Sequence, residues 1–183
     1  PFKVTNKFIE LIKNIEDKFS GTLEFKFLIA GSKDLIDCQL EKFLLSELSS
    51  SVKVYSHMKY DEYLNFIYNS HLYLSPTPFG GTNSIYDCIT KGLLGPCLAT
   101  ANSFSEDSER RFYNQANLGA FIANTQEEYV DIALEIIETL CGNRTERIEN
   151  FINSYSPCDI IKFMEKTDEN SNNLPELLSN MCD

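Results

Sequence analysis

The chain has 183 residues, 43% apolar and 23% charged, the balance of an ordinary globular protein rather than a disordered one. Asp and Glu outnumber Lys and Arg by 27 to 16, and the resulting net charge of -11 excludes broad attraction to nucleic acid or anionic lipid, while a local basic pocket could still hold a phosphate. No stretch is apolar for long enough to span a bilayer, so no membrane span is expected.

The first periodic segment, 5–19, places Phe8, Ile9, Leu11, Ile12 and Ile15 at helical spacing, with Thr5 or Asn6 as its cap. Residues 23–30 (LEFKFLIA) predict a strand closed by Gly31 and Ser32. A short helix is predicted over 39–48, with Leu40, Phe43, Leu44 and Leu48 on one side, followed by a strand over 52–56. Residues 60–68 return to helical spacing through Tyr63, Leu64, Ile67 and Tyr68. A short strand, 72–74, runs into 75–81 (SPTPFGG), a loop of turn-forming residues. A helix over 83–91 is predicted next, stopped by Gly92, and then a strand over 96–100. The polar stretch 101–117 holds a predicted helix near 108–113, and a last short strand, 120–123, precedes a long helix over 126–140. From 145 onward the pattern is helical and broken near Pro157 and Pro175.

Strands alternating with helices predict an α/β fold, a doubly wound, Rossmann-like parallel sheet over residues 1–157 with a helical C-terminal tail over 158–183. The alternation opens with a helix where such a domain ordinarily opens with its central strand. The first strand is therefore expected just upstream of Pro1, in a longer protein. Six cysteines, at 38, 88, 97, 141, 158 and 182, include no C-x-x-C pair, and only His57 and His71 could join them around a metal. No metal site is expected, and most of the cysteines lie in apolar patterns as buried thiols do. Reduced thiols and the lack of a secretory pattern point to the cytoplasm.

The most informative stretch is LYLSPTPFGGTNSIYDCITKGLLGPCLAT, residues 72–100. Gly80 and Gly81 allow a close backbone approach to a ligand and a positive φ. Thr82, Asn83 and Ser84 offer hydroxyl and amide groups where the first helical N–H groups are unfilled, a place suited to a pyrophosphate. Asp87 lies four residues beyond Asn83, on the same helical face, where a carboxylate can accept from two ribose hydroxyls. The same residues also fit a plain helix start, with Thr82 or Asn83 as N-cap and Asp87 as an acid near the positive end.

This stretch resembles the nucleotide-sugar-binding half of GT-B glycosyltransferases. It is most similar to the cytoplasmic bacterial N-glycosyltransferases of high-molecular-weight adhesins, and more distantly to the O-linked N-acetylglucosamine transferases. Against the family pattern N-P-F-P-F-G-x-T-N-x-I-x-D this chain reads Ser75-Pro76-Thr77-Pro78-Phe79-Gly80-Gly81-Thr82-Asn83-Ser84-Ile85-Tyr86-Asp87, and against its G-L-x-G it reads Gly92-Leu93-Leu94-Gly95. Phe2-Lys3-Val4, the stretch from His57 to Leu64, and Ile122-Ala123-Asn124-Thr125 resemble further family segments in the same order. The resemblance implies a UDP-hexose donor site in which Asn83 and Asp87 hold the nucleotide, Asp87 on the ribose. It also implies that Lys3 neutralises the diphosphate without a metal or other cofactor, and that His57 lies near the uracil. Taken alone, Lys3 reads as a solvated lysine and His57 as a strand-end surface residue.

What the resemblance implies as function is inverting transfer of glucose or galactose from a UDP-sugar to asparagine side chains of an acceptor protein, which a missing N-terminal domain would bind. No general base stands out in the chain. Where the family has H-E-H-I-D-E, this chain has Phe104-Ser105-Glu106-Asp107-Ser108-Glu109, so any role of those histidines does not carry over. Thr77 replaces the first phenylalanine of the pattern. Two other readings stay open: the donor half of a GT-B enzyme that builds a glycan, lipid-linked sugar or small glycoside, and a non-catalytic α/β interaction module.

Overall fold

The computed structural model describes residues 3–29, 35–90, 93–99 and 104–141. The elements run α1 (Asn6–Lys18), β1 (Glu24–Leu28), α2 (Leu35–Glu47), β2 (Ser51–Tyr55), α3 (Tyr60–Tyr68), α4 (Thr82–Thr90), β3 (Cys97–Leu98), α5 (Phe104–Gln115), a 3-10 turn at Gly119–Phe121, β4 (Ile122–Ala123) and α6 (Gln126–Leu140). This is the alternation read from the sequence. The expected tail 158–183 and the stop at Gly92 lie outside the described residues.

Helix starts follow the chemistry of their caps. Thr5 is extended, and its hydroxyl accepts from the Phe8 N–H at 3.1 Å, which sets the first turn of α1. At α6 the Thr125 hydroxyl accepts from the Glu128 N–H at 3.1 Å, while the Glu128 carboxylate turns back to accept from the Asn124 N–H at 2.7 Å. The apolar stripe of α1, Phe8, Ile9, Leu11, Ile12 and Ile15, is buried throughout. So is that of α6 through Tyr129, Val130, Ile132, Ala133 and Ile136.

The four strands form two parallel pairs. Phe25 of β1 stands opposite Val52 of β2, and Cys97 and Leu98 of β3 stand opposite Ile122 and Ala123 of β4. One hydrophobic core joins the pairs, drawing Phe25 and Val52 from the first, Leu98 and Ala123 from the second, and Ile15, Leu44, Ile85 and Tyr129 from the helices. The strand expected at 72–74 is instead an extended stretch that enters neither ladder. Its backbone is tied to the following segment by the Tyr73 N–H, which donates to the Leu94 carbonyl at 2.9 Å. The contact is very close: a Cβ on Gly95 would lie 1.6 Å from the Tyr73 carbonyl oxygen, so the final glycine of the G-L-L-G run is demanded by packing. Expected buried thiols are only partly found, since Cys88 and Cys97 are buried but Cys38 and Cys141 are exposed.

Candidate functional site

The loop 75–81 connects the extended stretch to α4, and the N-terminal end of the chain holds it from the other side. The Lys3 ammonium donates to the Gly80 carbonyl at 2.8 Å, across 77 residues of sequence. Two residues on, the Thr5 hydroxyl that caps α1 also donates to the Thr77 carbonyl at 2.7 Å. Thr77, the departure from the family pattern, is 1% exposed and packs inside the loop. The start of α1 and the start of α4 therefore share one loop.

The Gly81 carbonyl accepts the first helical bond of α4, from the Ile85 N–H at 2.8 Å. The helix thus begins one residue earlier than expected, at Thr82, and Gly81 rather than Thr82 or Asn83 occupies the cap position. The N–H groups of Thr82, Asn83 and Ser84 accordingly form the open, electropositive end of α4. Lys3 stands directly over it, since its Nζ would be 3.4 Å from a Cβ built on Gly81. The positive φ expected of Gly80 and Gly81 is absent. What requires glycine at 80 is contact, because a Cβ there would lie 1.8 Å from the Glu109 carboxylate.

Asn83 is exposed in the first turn, and Asp87 lies half-buried one turn further along. Two tyrosines of α3 that the sequence reading left unassigned reach this carboxylate. Tyr60, 62% exposed, donates weakly to Asp87 Oδ1 at 3.5 Å. Burial lifts the Tyr63 hydroxyl above its ordinary pKa, and the charge of Asp87 reinforces the shift. The Cys88 thiol beside them is pushed up to about 12, first by burial and then by Asp87. His57 sits exposed between β2 and α3, three residues before Tyr60, and among the described residues its side chain makes no hydrogen bond or ion pair. The structure therefore gathers Lys3, Gly81, Asn83 and Asp87 around the first two turns of α4 and leaves His57 at the margin.

Two hollows flank this helix. Asn83, Tyr86, Asp87 and Phe112 line one of about 310 Å³. A larger one, about 660 Å³, has Lys3 and Ser84 on its wall and extends over Phe8, Phe25 and Phe66. The larger is mainly apolar, with Lys3 and Ser84 on its wall, whereas Asn83 and Asp87 line the smaller. Among the described residues no three His, Cys, Asp or Glu side chains are grouped to hold a metal ion. Nor is any described helix long and apolar enough to cross a membrane.

No protein-family model matches the chain. Two curated proteins named UDP-glucose:protein N-beta-glucosyltransferase, from serotypes 5b and 7 of Actinobacillus pleuropneumoniae, are each 33% identical to it over 147 residues. That match takes in 80% of this chain but only 23% of each relative, so the chain spans about a quarter of their length. A solved structure of a point mutant of the Thermobaculum terrenum O-GlcNAc transferase superposes on 90% of this chain and 33% of its own, with a TM-score of 0.64 at 19% identity. The chain has the fold of one part of a GT-B glycosyltransferase. In sequence it is similar to the protein N-glucosyltransferases, as the 75–87 motif implied.

Proposed function

We propose that this chain is the UDP-hexose-binding part of an inverting glycosyltransferase that transfers glucose or galactose to asparagine side chains of proteins. The observation that carries the reading is the placement of the Lys3 ammonium over Gly80 and Gly81 at the open end of α4, with Asn83 in its first turn and Asp87 one turn further along. A diphosphate there meets the helix N–H groups and a cation together, and Asp87 is placed to accept from ribose hydroxyls. The relatives' name specifies a β-glucosyl product, and UDP-hexoses are α-linked, so the matching reaction inverts the anomeric carbon. As the acceptor nitrogen bonds to that carbon and gives up a proton to a base that this chain does not single out, the bond from the carbon to the diphosphate breaks and UDP leaves with added negative charge. Lys3 and the α4 N-terminus stabilise that charge most strongly late in the step, without a metal. Acceptor binding belongs to a further domain of the longer protein, which also closes the cleft against water. The free thiols at Cys38, Cys88, Cys97 and Cys141 fit a reducing compartment such as the cytoplasm.

Calorimetric titration with UDP tests this. The unmodified chain is expected to bind, and an Asp87→Ala variant that circular dichroism shows to be folded is expected to bind about tenfold more weakly or worse, a loss of about 1.4 kcal/mol or more. Absence of heat at millimolar UDP, or equal affinity in the variant, would contradict the assignment.

A further inference from the structure

Beneath the donor loop lies a carboxylate with no part in the chemistry above. Glu109 sits in the second turn of α5 and is 2% exposed. Its Oε2 accepts from the Ser75 hydroxyl at 2.7 Å, and the Cys97 thiol lies 3.9 Å from the same oxygen. Ser75 is itself buried and gripped at its other end, where its carbonyl accepts from the Tyr129 hydroxyl at 2.9 Å. Tyr73 and Tyr113 complete the surroundings. Burial holds both phenols far above their ordinary pKa, and the charge of Glu109 acts in the same direction. Removing a carboxylate from water costs several kcal/mol, which the Ser75 hydrogen bond to Oε2 offsets in part. Here it is packed against the loop at both ends: Ser75 opens the loop on Oε2, and Gly80 near its close rests against Oε1, where a Cβ would intrude to 1.8 Å.

We propose that Glu109 is a positioning residue for the donor loop, fixing residues 75–81 from below so that the Gly80 carbonyl meets Lys3 and the α4 N-terminus faces the diphosphate. Lys3 above and Glu109 below clamp the same glycine. What the loop requires of Glu109 is an acceptor of this length and shape. The inference rests on the nucleotide-sugar reading and adds to it a residue that touches no ligand.

Five variants of the full chain test it by UDP affinity, measured well below each variant's melting temperature. Glu109→Gln keeps both shape and acceptor and is expected to bind within about threefold of the unmodified chain, whereas Glu109→Ala and Gly80→Ala are each expected to lose roughly tenfold. In the double variant the new methyl occupies the space that the carboxylate has left, so its loss should be no greater than that of Glu109→Ala alone. Should Glu109→Ala fail to fold, Ser75→Ala removes only the loop's hydrogen bond and is expected to weaken binding by about threefold or more. Unchanged affinity in Glu109→Ala or Ser75→Ala, or independent addition of the two losses in the double variant, would overturn the inference. If the unmodified chain binds no UDP, the donor reading fails separately. The positioning is then decided by the Gly80 and Gly81 amide resonances, which Glu109→Ala must move and Glu109→Gln must leave in place; the reverse, or no movement, overturns it.

Discussion

Asp87 illustrates how one carboxylate can organise its neighbours. It raises the pKa of both the Tyr63 phenol and the Cys88 thiol, adding to the effect of burial at each. For Cys88 the sign of the consequence is definite. The unfolded thiol releases its proton near 9 and the folded one near 12, so this group contributes stability below about pH 9 that is lost as pH rises toward 12. At about pH 8 Cys88 is a buried, protonated thiol and a poor nucleophile. Brief treatment with an alkylating reagent at that pH, read by peptide mass mapping, is expected to label Cys38 and Cys141 and to spare Cys88; rapid labelling of Cys88 would show that the α3–α4 contact is open. Spacing put Asn83 and Asp87 on one helical face, because i and i+4 share a face whatever else the fold does, while their role at a nucleotide was implied only by the family resemblance. Tyr60 and Tyr63 were not legible as site residues. Their spacing reads as an apolar helix face, and only the packing of α3 against α4 turns their hydroxyls toward Asp87.

At the scale of elements, α1 is the link between fold and site. Its apolar stripe packs into the core with α6, while its cap residue carries two hydrogen bonds with different purposes. The Thr5 hydroxyl accepts from Phe8 to start the helix and donates to Thr77 to hold the donor loop. Thr5→Ala removes both and is expected to cost about 1–2 kcal/mol in denaturant unfolding, while Thr5→Ser, which keeps both, should stay within about 0.5 kcal/mol of the unmodified chain. Equal losses in the two variants would mean that the methyl group, not the hydroxyl, matters. The helices with strong periodicity were readable in advance: α3 and α6 occupy the expected bounds, and α1 differs by one residue at each end. Weak periodicity is where reading failed. α2 begins four residues before the expected start, and α5 runs well beyond 108–113 because so many of its residues are polar that the sequence does not mark its ends. Residues 72–74 look like a strand because they are apolar, yet apolar character does not specify which backbone they pair with.

For the whole molecule, a single core spanning both strand pairs brings the N-terminal end of the chain to a loop more than seventy residues away. That long-range closure cannot be read from spacing or periodicity, and only the family resemblance implied that Lys3 comes to this loop. Glu109 is the clearest case: in the chain it is one acid among several in a polar stretch, and only the packing of α5 under the loop makes it the floor of the site. The overall acidity is also set against the local chemistry. A chain of net charge -11 repels a nucleotide at long range, so the proposed binding would depend on the short-range field of Lys3 and the α4 N-terminus. The most direct test of that claim follows backbone amide resonances of the isotope-labelled chain as UDP is added. The largest shifts are expected at Gly81, Thr82, Asn83 and Ser84, with Asp87 following. Shifts centred instead on Phe25 and Phe66 in the larger hollow, or none at millimolar UDP, would contradict a donor site at the head of α4.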